Sequence, residues 1–146
     1  MMSTIVVGVD GSAGAVAALR FGIEEAKLRG AELKVVSAWH IPVGAYESGW
    51  VPIPVDSTDY AELAKAALEK TIESAGADAA GVEITRVVRE GQAADVLVAE
   101  AAGAGLLVVG TRGLGGFREL LLGSTSQQCA HHAPCPVTIV PTPDAS

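Results

Sequence analysis

The residues with the clearest chemistry lie between Gly110 and Thr125. Several glycines there alternate with Arg112 and Arg118, and the stretch ends on the hydroxyls of Ser124 and Thr125. Glycine lets the backbone approach a ligand closely and turn successive N–H groups into one concavity, which suits an anion. Because Ser124 opens a predicted helix, the free N–H groups of the first turn would face the same ligand. The stretch therefore predicts a phosphate-binding loop.

Energetics indicate how many donors such a loop needs. A helix dipole contributes only about 0.3 to 1 kcal/mol, whereas micromolar binding needs about 8 kcal/mol. Charge-assisted hydrogen bonds contribute about 1.5 to 3 kcal/mol each. Four or five donors from Gly113, Gly123, Ser124 and Thr125 would reach that range before ordering costs. Arg112 would supply local positive charge.

Two other interpretations of this stretch involve no ligand. Ser124 followed by Gln127 fits a helix capping box, and glycines occur in loops for conformational reasons alone. The common phosphate loop G-x-x-x-x-G-K-[ST] is missing from the chain, and G-x-G-x-x-G is missing after the first strand. These absences remove the main support for a classical NTPase or a dinucleotide-dependent enzyme.

The elements that must position this loop follow from the apolar pattern. Short apolar runs predict strands at 5–9, 31–38, 82–88, 106–109 and 137–140. Helical segments between them are predicted at 12–30, from 57 onward, at 91–102 and at 124–131. Strands that alternate with helices form a parallel sheet covered on both faces. We expect an α/β, Rossmann-like single domain over 1–146, with an open five-stranded sheet in the order 3-2-1-4-5. In such sheets ligands bind beyond the carboxyl ends of the strands.

The segment 39–56 has no clear periodicity and carries three prolines together with Tyr46 and Trp50. Structureless connections of this length are uncommon in compact domains and are usually functional or disordered. We expect either a lid or partner contact, or a disordered insertion.

Composition narrows the class of protein. The chain has 146 residues, 49% of them hydrophobic, and a net charge of -7. This charge opposes binding to nucleic acid or to an acidic membrane surface. No apolar run approaches the roughly 20 residues of a membrane span, and Met1 to Thr4 do not resemble a secretory signal. We expect a cytoplasmic protein in which both cysteines are thiols.

The chain resembles the universal stress protein family, and in particular its ATP-binding subgroup. The family's nucleotide motif, G-x2-G-x9-G-[ST], is matched by Gly110, Gly113, Gly123 and Ser124. The segments 7–12 and 133–137 are also similar to the family's usual first and last strands. The similarity covers nearly the whole chain.

The resemblance implies a nucleotide-binding set at the strand ends, comprising Val9, Asp10, Ala38, Val109, Gly110, Arg112, Gly113, Gly123, Ser124 and Thr125. In this set Asp10 would meet the ribose or a phosphate-bound metal, and the backbone of Ala38 would meet adenine. The implied cofactors are ATP and Mg²⁺ or Mn²⁺ carried on its phosphates. Asp10 also has a simpler interpretation, as a cap for the helix that follows it.

The resemblance further implies a homodimer formed through the last strand, 137–140. The leading hypothesis is a regulatory, stress-related protein that binds ATP. The alternatives are a slow ATPase, with Asp10 and Glu119 as candidate groups, and a binder of AMP or cyclic AMP. The sequence does not identify a protein partner.

A zinc site is a weaker interpretation of Cys129, His131, His132 and Cys135, because their spacing departs from the usual paired ligands. Cys129 fits the inner face of a helix instead, where a free cysteine behaves as a small apolar residue. We therefore predict no resident metal there.

Overall fold

A computed structural model describes residues 3–40, 57–111 and 123–142. Five strands and four helices alternate along these residues, with a short 3₁₀ helix at Ala77–Ala79. In chain order they are β1 (Thr4–Gly8), α1 (Ala13–Arg29), β2 (Glu32–Trp39), α2 (Ser57–Ala75), β3 (Ile84–Glu90), α3 (Ala93–Glu100), β4 (Leu106–Gly110), α4 (Ser124–His132) and β5 (Val137–Val140).

The five strands form one parallel sheet in the order β3-β2-β1-β4-β5. This order confirms the predicted topology. The chain winds outward in one direction from β1 to β3, and then returns to the other side of β1 with β4. The strand order therefore reverses between β1 and β4, and the carboxyl ends of these two strands border the crevice where such sheets bind ligands.

The central strands are apolar throughout because both faces of the sheet are buried. In β1, Ile5 and Val7 pack on the side of α1 and α2, whereas Val6 packs on the side of α3. All three are fully buried. A Cβ on Gly22 of α1 would lie 2.6 Å from Cγ2 of Val7, so this glycine lets the helix pack closely on the sheet.

The ends of α3 and β3 differ from those predicted from the sequence. Helix α3 begins at Ala93 rather than at 91, because Gly91 has a φ of 145° and Gln92 is extended. Strand β3 begins two residues later than predicted and continues to Glu90, which pairs with Trp39. The 3₁₀ helix that follows α2 was not predicted.

No helix in the described residues is long and apolar enough to cross a bilayer. The segment 39–56 was expected to be a lid, a partner contact or a disordered insertion. Its residues 41–56 lie outside the described part of the chain.

Candidate functional site

The start of helix α4 is hydrogen-bonded to the end of β4, although 13 residues separate Gly110 from Ser124 in the chain. The N–H of Gly123 donates to the carbonyl of Thr111, the residue after β4. The first backbone bond of the helix follows at once, from the N–H of Gln127 to the carbonyl of Gly123 at 3.0 Å. The bond from Gly123 to Thr111 places the first turn of α4 next to the carboxyl end of β4.

The N-terminus of α4 is open. Its N-cap is Gly123, whose backbone is extended and which has no side chain to cap the helix. Helix geometry leaves the first N–H groups, those of Ser124, Thr125 and Ser126, without an intrahelical carbonyl. The predicted capping box is therefore wrong: Ser124 is the first helical residue, and its Oγ accepts from Nε2 of Gln128 at 3.2 Å. The free donors and the helix dipole suit an anion.

Helix α1, which starts after β1, has a closed N-terminus. The Oγ of its N-cap Ser12 accepts from the N–H of Ala15 at 3.2 Å. One carboxylate oxygen of Asp10, Oδ1, in turn accepts from the N–H of Ser12 at 3.0 Å and from its Oγ at 2.6 Å. Asp10 thus holds Ser12 in its capping position and does not cap the helix itself. Of these two helices, α1 has a side-chain cap at its N-terminus and α4 has none.

Four other predicted residues lie on, or directly after, strands β1, β2 and β4. Val9 is buried, and its N–H donates to the carbonyl of Val36 at 2.9 Å. Ala38 lies two residues beyond Val36, the partner of Gly8 on β2. Val109 is buried in the core, and Gly110 pairs with Val140. Because the side chains of Val9 and Val109 are buried, these two residues would meet a ligand through their backbone atoms alone.

The structure thus gathers eight of the ten predicted site residues at the carboxyl edge of three adjoining strands and at the start of α4. The other two, Arg112 and Gly113, lie outside the described residues, as do Arg118 and Glu119.

Sequence reasoning missed Ser126 and Thr111. Ser126 is only 2% exposed, and its Oγ lies 3.1 Å from the carbonyl oxygen of Thr111 and 3.0 Å from that of Gly123. The Thr111 hydroxyl lies 3.4 Å from the hydroxyl of Thr142, which follows β5. The one available signal was a third hydroxyl, after those of Ser124 and Thr125, in the first turn of a predicted helix.

Both cysteines are free thiols, as predicted. Burial raises the pKa of the Cys129 thiol to about 11, and burial also raises the pKa of Cys135. Both are therefore protonated at neutral pH and poor nucleophiles. Among the residues that the structure describes, no three His, Cys, Asp or Glu side chains lie close enough to share a metal ion.

Comparison with known proteins identifies the family. The model of the universal stress protein family matches residues 1–141. The chain belongs to this family. A universal stress protein of Thermus aquaticus is 37% identical, over 96% of this chain and 99% of its own length. One from Mycobacterium tuberculosis is 33% identical over 95% of this chain, which spans about half (48%) of that relative.

Solved structures of universal stress proteins include complexes with nucleotides. One, in complex with cAMP, is 30% identical to this chain, covers 97% of it and 98% of its own chain, and superposes with a TM-score of 0.66. Another, from Archaeoglobus fulgidus in complex with dAMP, is 26% identical, with coverages of 96% and 98% and a TM-score of 0.63. These findings confirm the family resemblance and the fold of this universal stress protein.

Proposed function

We propose that this universal stress protein is a regulatory protein that binds an adenine nucleotide, with ATP as the main ligand. The phosphates would lie at the open N-terminus of α4, and the nucleoside would lie along the ends of β1, β2 and β4. The observation that carries this proposal is the contrast between the helices that follow β1 and β4. Helix α1 is capped by Ser12, whereas α4 has glycine at its N-cap.

The adenine part of the proposal rests on the relatives. Two solved relatives hold cAMP and dAMP, which share an adenine base and differ in their sugar and phosphate. The choice of a triphosphate as the main ligand rests on the glycine motif from Gly110 to Ser124. AMP and cyclic AMP remain the alternatives for this chain.

A divalent cation, Mg²⁺ or Mn²⁺, would bind mainly through the phosphates. The donors present fit that role, because Asp10 offers an exposed carboxylate held in place by two hydrogen bonds from Ser12. Such cations prefer oxygen ligands and are usually held by one or two carboxylates together with phosphate oxygens. The cation would also offset repulsion between the phosphates and a chain of net charge -7.

We propose that the protein retains its nucleotide rather than hydrolysing it rapidly. Hydrolysis requires strong stabilisation of charge on the leaving phosphates. The segment from Gly110 to Thr125 contains no lysine to supply it. The regulatory output would then depend on nucleotide occupancy, and we place the protein in the cytoplasm as a homodimer.

Calorimetry with Mg·ATP, AMP and cyclic AMP tests the proposal, together with mass spectrometry of nucleotide released from denatured, untreated protein. We expect ATP to be released and to bind with a micromolar Kd. If AMP or cyclic AMP bound more tightly than ATP, that nucleotide would replace ATP as the proposed ligand. Turnover of ATP that is lost in Asp10→Ala, while binding persists, would establish a slow ATPase. Binding of none of the three would overturn the proposal.

A further inference from the structure

Gln128 is an exposed residue whose side chain reaches the first residue of α4. Its Nε2 donates to Oγ of Ser124 at 3.2 Å, across one turn of the helix. Side chains four residues apart lie on the same helix face, and helical side chains lean toward the N-terminus. The amide of Gln128 therefore lies beside the open start of α4. We propose that Gln128 is a positioning residue that directs the Ser124 hydroxyl toward a bound phosphate, an inference that rests on the proposed function.

This hydrogen bond decides what the Ser124 hydroxyl offers to a ligand. A serine hydroxyl carries one proton and two lone pairs, and it rotates to suit its partners. Its oxygen accepts from Gln128, and within the described residues its own proton has no acceptor. One lone pair is thus engaged inside the protein, and the proton is left to point away from Gln128. Phosphate oxygens are strong acceptors, so this orientation suits a phosphate.

The place of Gln128 between two helices explains how it would act on affinity. The residue lines the groove between α3 and α4 together with Ala94, Asp95 and Val98 of α3. A glutamine side chain loses rotamer entropy when it is held in one conformation. Because this side chain lies beside a second helix, part of that entropy is already lost when the protein folds. A hydroxyl that is oriented beforehand needs less ordering when the nucleotide binds, so affinity rises.

The chain offers a matched control at the preceding position. Gln127 is also exposed, but it points about 100° around the helix from Gln128. Its backbone N–H donates to the carbonyl of Gly123, and its side chain makes no hydrogen bond within the described residues. Methionine is unbranched like glutamine, has a similar helix propensity and lacks the amide. Gln128→Met and Gln127→Met therefore make the same change, and only the first removes the bond to Ser124.

The test compares calorimetric Kd values of Mg·ATP and AMP for the full-length parent, Gln128→Met, Gln127→Met, Ser124→Ala and the double variant Ser124→Ala with Gln128→Met. We expect Kd to rise about threefold in Gln128→Met and about tenfold in Ser124→Ala, and to stay unchanged in Gln127→Met. The double variant should bind as Ser124→Ala does, because Gln128 then has no hydroxyl to orient. All three positions are exposed, so we expect every variant to fold.

Several outcomes would overturn the inference. Gln128→Met would do so if it bound as tightly as the parent, and Gln127→Met if it lost as much affinity as Gln128→Met. A further threefold loss in the double variant, relative to Ser124→Ala, would show that Gln128 does not act through the hydroxyl. A parent that binds neither nucleotide would overturn the proposed function as well, so the two failures are distinguishable.

Discussion

At Gly123, the absence of a side chain has a direct consequence for ligand binding. The backbone there, with φ of −76° and ψ of 169°, is open to any residue, so the conformation does not require glycine. An N-cap Ser or Asp would place its own oxygen on the first-turn N–H groups. Glycine leaves those groups to an external anion.

Gly123→Asp should therefore change stability and binding in opposite directions. A capping carboxylate should stabilise α4 by a few tenths of a kcal/mol relative to glycine. It should also occupy the donors and repel phosphate, so we expect the Kd for AMP to rise at least about 100-fold. Calorimetry and thermal unfolding measure the two effects.

The matched control is Gln92→Asp, at the N-cap of α3, which also lacks a side-chain cap. This variant should gain similar stability and bind AMP as the parent does. Undiminished binding in Gly123→Asp, or an equal loss in Gln92→Asp, would place the phosphate elsewhere.

The sequence predicted the residues of the α4 start but not their roles. The pattern of Ser124 and Gln127 fits a capping box, yet the helix begins one residue too early for it. The hydroxyl of Ser126 faces the Thr111 carbonyl, which lies 15 residues away in the chain. Local spacing carries no signal for such a contact.

Among the secondary-structure elements, Glu100 joins three of them. Its carboxylate lies at the end of α3 and pairs with Lys34 of β2 and Arg89 of β3, each at 2.8 Å. Only 15% of its side chain is exposed. Hydrogen bonds from Lys34, and then from Arg89, hold the pKa of Glu100 below its ordinary value of 4.5.

Glu100→Gln should lower the free energy of unfolding by about 1 to 3 kcal/mol at pH 7, since charge-assisted bonds are lost. A lowered folded-state pKa means that the carboxylate contributes stability above pH 4.5 and loses it as pH falls through the folded pKa. The difference in free energy of unfolding between the parent and Glu100→Gln should therefore shrink below about pH 4.5. Urea unfolding across pH 3 to 7 measures this difference.

Glu24→Gln is the matched control, because Glu24 is 71% exposed and lies 3.8 Å from Lys27. Exposed pairs of this kind contribute little, so its effect should stay within about 0.5 kcal/mol. A loss in Glu100→Gln that did not depend on pH would contradict the assigned ion pairs.

The elements were predictable to within a few residues because the apolar runs alternate with helical segments. Strand β5 has the predicted bounds, 137–140. Helix α3 is shorter than predicted because the conformation of Gly91 stops it from starting earlier. A glycine's φ is set by its surroundings, so the pattern alone does not reveal it.

At the scale of the whole molecule, the two edges of the sheet differ. The edge strand β3 carries the exposed charges of Arg86, Arg89 and Glu90. The opposite edge, β5, has no charged residue, and all four of its residues are half-buried. Charges protect sheet edges from pairing, whereas an apolar edge favours it. The difference supports our proposal that β5 forms the homodimer.

If the proposed homodimer forms through β5, Thr138→Lys should convert it into a monomer, because the substitution places a charge on the pairing edge. Sedimentation velocity at micromolar concentrations measures the change. Thr85→Lys makes the same substitution on β3 and should leave the dimer intact. A parent that sediments as a monomer, or a Thr138→Lys variant that stays dimeric, would contradict the proposal.

The parallel sheet was predictable because strands that alternate with helices pair in parallel. Handedness alone does not fix the strand order, so the position of the crevice between β1 and β4 followed from the order expected for a Rossmann-like fold. Ligand identity did not follow, since backbone donors recognise phosphates without distinguishing the rest of the nucleotide.

An NMR titration of ¹⁵N-labelled protein with Mg·ATP tests the central claim most directly, because it reports both binding and its place. We predict saturable amide shifts that are largest at Ser124 and Thr125, with further shifts at Asp10 and Gly110. The start of α1, at Ala13 to Ala15, should shift much less. No saturable shifts, or shifts centred on the start of α1 or α3, would contradict the account.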